Sequence, residues 1–133
     1  MKKILLDTSA YSRLRCGSEE VLDALSHADL VYVSVFVLGE LYAGFKGGSK
    51  EAANRDLLER FLKRATVRIV AATKETAEVF AEIKHGLRRA GTPLPVNDIW
   101  IGAHAVEMGS VLVTFDTHFT KIPGLRLWNN IRG

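Results

Sequence analysis

Lys3-Ile4-Leu5-Leu6-Asp7 is a short apolar run cut off by an acid and followed at once by Thr8-Ser9. A run this brief is too short for a buried helix. It suits a buried strand, in which residues need apolar neighbours on both faces rather than on alternate positions. The same β-branched, turn-bounded character recurs at Val31 to Ser34, Val67 to Val70 and Val111 to Thr114, and Leu125 to Trp128 after Pro123-Gly124 makes a fifth expected strand.

Helical patterns fill the intervals. Ser9 to Arg15 leads into Ser18 to His27, where Ser18 is placed to cap and Glu19 and Glu20 complement the positive helix end. Val35 to Phe45 is apolar almost all the way round, which predicts a central helix buried on several sides and ended by Gly47-Gly48. The next helix sets Leu57, Leu58, Phe61, Leu62 and Ala65 against Arg55, Arg60, Lys63 and Arg64, so it packs by one side. Thr73 to Ala90 does the same through Thr76, Phe80, Ile83 and Leu87, with Gly91 as its stop. Pro93 and Pro95 stiffen the turn before Asn97, and Asp98 to Met108 is helical again until Gly109. The order reads βααβααβαβ with a tail. Strands alternating with helices predict an α/β fold: a parallel sheet of about five strands between two helical layers, formed by residues 1–133 as one domain.

With 133 residues the chain can bury a sizeable core without crosslinks, and its lone Cys16 offers no internal disulfide. No Cys/His spacing resembles a zinc site. The apolar stretch after Met1-Lys2-Lys3 is far too short for a targeting segment and no run approaches a membrane span, so a cytoplasmic protein is expected. Eighteen Lys and Arg against fifteen Asp and Glu give a net charge of +3, compatible with a polyanionic partner.

Four acids, Asp7, Glu40, Asp98 and Asp116, stand where apolar stretches end or give way. In a parallel sheet, residues just beyond the strands share one edge, where ligand sites of open α/β sheets lie. Converging carboxylates repel unless a hard cation lies between them, and Mg²⁺ or Mn²⁺ held in this way serves phosphodiester chemistry. Each acid also has a structural reading. Asp7 and Asp98 suit helix caps, and Asp116 suits a turn. Glu40 is the hardest to explain in that way, since Val35, Phe36, Val37, Leu38, Leu41, Tyr42 and Phe45 surround it on its helix and predict an enclosed carboxylate. Asp98, Gly102 and Ala105 share a helical face small enough for a backbone or substrate to approach.

Leu6-Asp7-Thr8-Ser9-Ala10, Gly39-Glu40-Leu41, Asn97-Asp98-Ile99-Trp100-Ile101 and Thr114-Phe115-Asp116-Thr117-His118-Phe119 resemble the four motifs of PIN-domain ribonucleases. With the closing Ile122-Pro123-Gly124-Leu125, the whole chain resembles the VapC toxins of type II toxin–antitoxin modules. The resemblance implies a three-layer PIN-like domain and a cleft for one or two Mg²⁺ or Mn²⁺ ions. Asp7 and Asp98 would be direct ligands, Glu40 and Asp116 would act partly through water, and Thr8, Ser9, Asn97 and Thr114 would orient the carboxylates. It also implies hydrolysis of RNA to a 5′-phosphate and a 3′-hydroxyl, a cognate VapB-like antitoxin and a homodimer. Arg13, Arg15, Lys46, Arg88 and Arg89 are candidates to hold flanking phosphates. In the fourth motif some relatives carry an acid where this chain has His118, which could contact phosphate or cap a turn, the turn cap being the expected role. Two rivals remain: an inactive PIN-like module that binds RNA or a partner, and a phosphoryl-transfer enzyme using Asp7. The second wants an acid at the position of Ser9.

Overall fold

In the computed structural model, which describes residues 1–128, Lys3–Leu6 forms β1 at the centre of a five-stranded parallel sheet. Ile4, Leu5 and Leu6 are each no more than 1% exposed. Burial of one such side chain contributes roughly 1.5–3 kcal/mol, which is why an unbroken apolar run sits here rather than at an edge.

The chain continues through α1 (Thr8–Arg15), α2 (Glu19–His27), β2 (Leu30–Ser34), α3 (Val35–Phe45) and α4 (Glu51–Leu62) to β3 (Val67–Val70). It returns through α5 (Lys74–Ala90) and α6 (Val96–Glu107) to β4 (Val111–Val113), then a 3₁₀ turn (Thr117–Lys121) and β5 (Arg126–Leu127). All five expected strands are present, β1 and β3 with the expected bounds and the others with ends moved by one residue. The helices expected over Thr73 to Ala90 and Asp98 to Met108 are both present as α5 and α6, so the path is βααβααβααβ before the final turn and strand, one helix more than the expected order βααβααβαβ. Gly91, at φ 71°, closes α5 in the left-handed conformation that a side chain would resist, and Pro93 and Pro95 keep the link extended. Pro95 is the N-cap of α6, which therefore starts two residues before Asp98. Residues 129–133 of the expected domain lie outside the described residues.

Strand order β3-β2-β1-β4-β5 means that the chain first winds outward from β1 to β3, then crosses back over β1 to β4. Right-handed crossovers in opposite directions put α1 to α4 on one face and α5 and α6 on the other. β1 pairs with β2 on one side, Leu5 opposite Tyr32, and with β4 on the other, Leu5 opposite Leu112. The winding direction reverses between β1 and β4. Ligand sites of such sheets open at that reversal, beyond the carboxyl ends of the strands.

The helix buried on several sides is α6, not α3. Ile99, Ile101, Ala103, His104 and Ala105 of α6 are all at most 3% exposed. On α3 only Val37, Leu38 and Leu41 are buried, while Val35, Gly39, Glu40, Ala43 and Gly44 face outward. An apolar sequence thus left one face of α3 uncovered. His104 ties the two helices together. Its Nδ1 lies 2.7 Å from the hydroxyl of Ser34, which also accepts the Phe36 N–H as N-cap of α3. Burial holds the His104 imidazole below its usual pKa, against the opposing pull of the Glu107 charge. Phe36, Trp100 and Phe80 stack in sequence, joining α3, α6 and α5.

Candidate active site

Asp7 ends β1 and begins α1. Its N–H still belongs to the sheet, donating to the Val113 carbonyl at 3.2 Å. Its side chain caps the helix, with Oδ1 accepting from the Ala10 N–H at 2.8 Å and from the Ser9 hydroxyl at 2.7 Å. Oδ2 accepts a short hydrogen bond from Thr114, just past β4. The carboxylate is only 4% exposed, and burial pushes its pKa above the usual range. The bonds from Thr114, Ala10 and Ser9 oppose that rise, and the charge of Asp116 adds to it.

Asp116 lies across the winding reversal from Asp7. Its N–H donates to Thr114 Oγ1 at 2.9 Å, so Thr114 links the two acids. Its Oδ1 accepts the His118 N–H at 2.9 Å and caps the 3₁₀ turn. Asp98 reaches the same place from the first turn of α6. Burial raises its pKa too, and the negative charges of Asp116 and Glu40 add to the rise while His118 opposes it. Oxygens of Asp98 and Asp116 and a ring nitrogen of His118 all lie within 4.8 Å of one another.

Glu40 differs from expectation. It is exposed rather than enclosed, because the outward face of α3 carries it, and its carboxylate accepts from the Thr8 hydroxyl. Its pattern on the sequence suggested isolation in an apolar core, but its neighbours along the helix bury a different face. The expected small-residue approach beside Asp98 is also corrected. A Cβ on Gly102 would come within 2.7 Å of Ile122 Cδ1, and Ala105 is fully buried. That face of α6 receives the core and leaves no room for substrate.

Of the residues expected to orient the acids, Ser9 and Thr114 bond Asp7 and Thr8 bonds Glu40. Asn97 is half-buried beside Asp98 and makes no hydrogen bond to an acid among the described residues. The basic candidates do not gather. Arg13 stacks on the ring of Phe115 at 4.5 Å, next to Asp116, and Arg88 lines a hollow with Ile99, next to Asp98. Arg15 lies over Tyr11, Lys46 faces Glu51 at 3.8 Å, and Arg89 ends α5 as an exposed residue. The side chain that sequence reasoning undervalued is His118, whose ring stands between two acids rather than merely beside a turn.

The donor set is chemically coherent. Carboxylate oxygens predominate, two of the acids are held above their usual pKa by burial, and a cation of two positive charges would relieve their mutual repulsion. These residues fit a hard divalent ion. No helix among the described residues is long and apolar enough to cross a membrane.

The PIN domain family model matches residues 4–125. Ribonuclease VapC2 of Haemophilus influenzae is 32% identical over 132 residues, covering 97% of this chain and 98% of its own length. Ribonuclease VapC2 of Rickettsia felis is 29% identical over 109 residues, covering 81% and 80%. Among solved structures, the DNA-bound VapBC of Salmonella typhimurium superposes with a TM-score of 0.85 at 26% identity, over 96% of this chain and 98% of that one. A shared fold, a matched family model and relatedness along nearly the entire length agree with the acidic site at the winding reversal, and the chain belongs to the PIN domain family, among the VapC ribonucleases.

Proposed function

We propose that this chain is a metal-dependent endoribonuclease that hydrolyses RNA phosphodiester bonds, with Asp7, Glu40, Asp98 and Asp116 as its acidic set. The observation that carries this reading is the cluster of Asp98 and Asp116 at the reversal between β1 and β4, with Asp7 tied to Asp116 through Thr114. The names of the relatives, ribonuclease VapC2 and VapBC, support the same activity, and a structural neighbour described as a toxin–antitoxin complex supports a toxin role within such a pair.

Asp7, Asp98 and Asp116 would hold Mg²⁺ or Mn²⁺, with Glu40 reaching the ion from α3 through water. When bound, such an ion neutralises a phosphate and lowers the pKa of an attacking water. Thr114 and Ser9 fix the orientation of the Asp7 carboxylate, and the α1 N-terminus supplies a backbone donor to it. Desolvation of Asp7 and Asp98 strengthens their grip on a cation, because each is costly to leave charged and alone. No residue has to form a bond to phosphorus.

Purified protein should cleave RNA with Mg²⁺ or Mn²⁺ and stop with EDTA. Asp7→Asn or Asp98→Asn should lower the rate by about a thousandfold with folding retained, a loss of several kcal/mol of charge stabilisation. Undiminished cleavage by both variants would sink the mechanism. A folded wild type that binds RNA without cutting it would favour the inactive-module reading. The toxin reading also entails a small VapB-like antitoxin that silences cleavage, and a homodimer. A solution mass staying at 14.7 kDa at micromolar concentration would contradict the dimer.

A further inference from the structure

The Nδ1 atom of His118 stands 3.2 Å from Asp98 Oδ2 and 3.3 Å from Asp116 Oδ1. A ring N–H carries one hydrogen along one direction, so it cannot serve two carboxylates well at once. Nor does the turn need the ring. Asp116 Oδ1 already caps it through the His118 main-chain N–H at 2.9 Å. The side chain itself is 52% exposed, and the turn is anchored by its neighbour Phe119, which is 1% exposed. The imidazole is therefore delivered to the two acids by the packing of the next residue, with no structural duty of its own that explains its place.

Adjacent ligands on a small octahedral cation with bonds of about 2.1 Å lie about 3.0 Å apart. Both observed separations are within a few tenths of an ångström of that edge. We propose that His118 is itself a metal ligand, its Nδ1 joining Asp98 and Asp116 in a mixed nitrogen–oxygen donor set that favours Mn²⁺ over Mg²⁺. The inference rests on the metal-dependent nuclease reading above. Mg²⁺ is a hard ion that prefers oxygen and surrenders its water reluctantly, whereas an imidazole nitrogen suits the first-row divalent metals. Mn²⁺ accepts both donor types. An all-carboxylate set would lose this discrimination.

The test uses the full-length, metal-free protein titrated calorimetrically with Mn²⁺ and with Mg²⁺, and pulsed electron paramagnetic resonance of the Mn²⁺ complex. Wild type is expected to bind Mn²⁺ at least about tenfold more tightly than Mg²⁺ and to display coupling of the Mn²⁺ spin to an imidazole nitrogen. His118→Ala should abolish the coupling and weaken Mn²⁺ by about tenfold or more, the range seen when ligand support is lost, with little change for Mg²⁺. His118→Asp should shift the preference toward Mg²⁺. Equal weakening of both ions in His118→Ala would overturn the assignment and leave His118 as a group that merely positions Asp98 and Asp116. Mn²⁺ binding without nitrogen coupling in wild type would overturn it while the nuclease reading stands. Failure of wild type to bind either ion would overturn both.

Discussion

At Asp7 one carboxylate does two incompatible things: it caps α1, which favours its charge, and it lies buried beside Asp116, which opposes it. Burial wins, and the pKa in the folded protein is raised above the ordinary value of 3.8 for an aspartate. The sign follows directly. Between 3.8 and the raised value the folded state holds more protons than the unfolded chain, so stability falls as pH rises through that window and stays lowered at neutral pH. Asp7→Asn removes the charge and keeps an oxygen for the Ala10 N–H. In EDTA at pH 7 the variant is expected to melt several degrees above wild type, with the gain shrinking as pH approaches 4 and as Mg²⁺ is added, while RNA cleavage is lost. Differential scanning calorimetry checks this, and a variant melting below wild type at pH 7 would contradict it. The trade is one of stability for a charged site. Asp7 was legible in the sequence because strand end and helix start adjoin it. Its partner Thr114 lies 107 residues away, and the role of His118 depends on where α6 delivers Asp98. Contacts of that kind are set by tertiary packing and leave no local mark.

For whole elements, the placement of α6 matters most, since it brings Asp98 to the reversal. Helix and core meet so closely at Gly102 that an added Cβ would stand 2.7 Å from Ile122 Cδ1. Gly102→Ala should therefore destabilise by about 1–3 kcal/mol, typical of overpacking, and should slow cleavage by pushing the Asp98 end of the helix away. Ile122→Val deletes the obstructing methyl. The double variant is expected to recover most of the stability in urea denaturation and most of the cleavage rate; independent, additive losses would show that Gly102 acts elsewhere. Sequence periodicity revealed where the helices run, because strand and helix periods differ. It did not reveal which apolar helix is enclosed. α3 and α6 are both rich in apolar residues, and only the crossing of α6 over β1 to β4 decides that α6 is covered while Val35 of α3 remains 40% exposed. The same topology explains why Glu40 reads as buried in sequence and stands exposed in the fold. Local pattern records which residues can be buried, and the winding of the sheet decides which are.

At the scale of the whole molecule, charge and shape act on a polyanion together. Four of the fifteen acids are assigned to the cleft, so the remaining surface is more basic than the net +3 indicates. A phosphate chain is attracted to that surface, yet it must approach carboxylates to be cut, and a cation beside the acids eases the last step. Arg13 is the best placed for this, because the ring of Phe115 holds its guanidinium at 4.5 Å and Phe115 adjoins Asp116. A cation–π contact of this kind restrains the guanidinium near the ring, and Arg13 is an exposed residue whose N–H groups can meet phosphate oxygens. Lys46, by contrast, is 79% exposed and already faces Glu51. The two should separate in a salt titration of single-stranded RNA binding, performed in the cleavage-deficient Asp98→Asn background with Mg²⁺ present. Adding Arg13→Ala should flatten the slope of log affinity against log salt by about 0.7, the value for one phosphate contact on a single strand. Adding Lys46→Ala should leave the slope nearly unchanged. Equal effects would mean that RNA is held by diffuse surface charge, and an unchanged slope for Arg13→Ala would remove it from the path of the substrate.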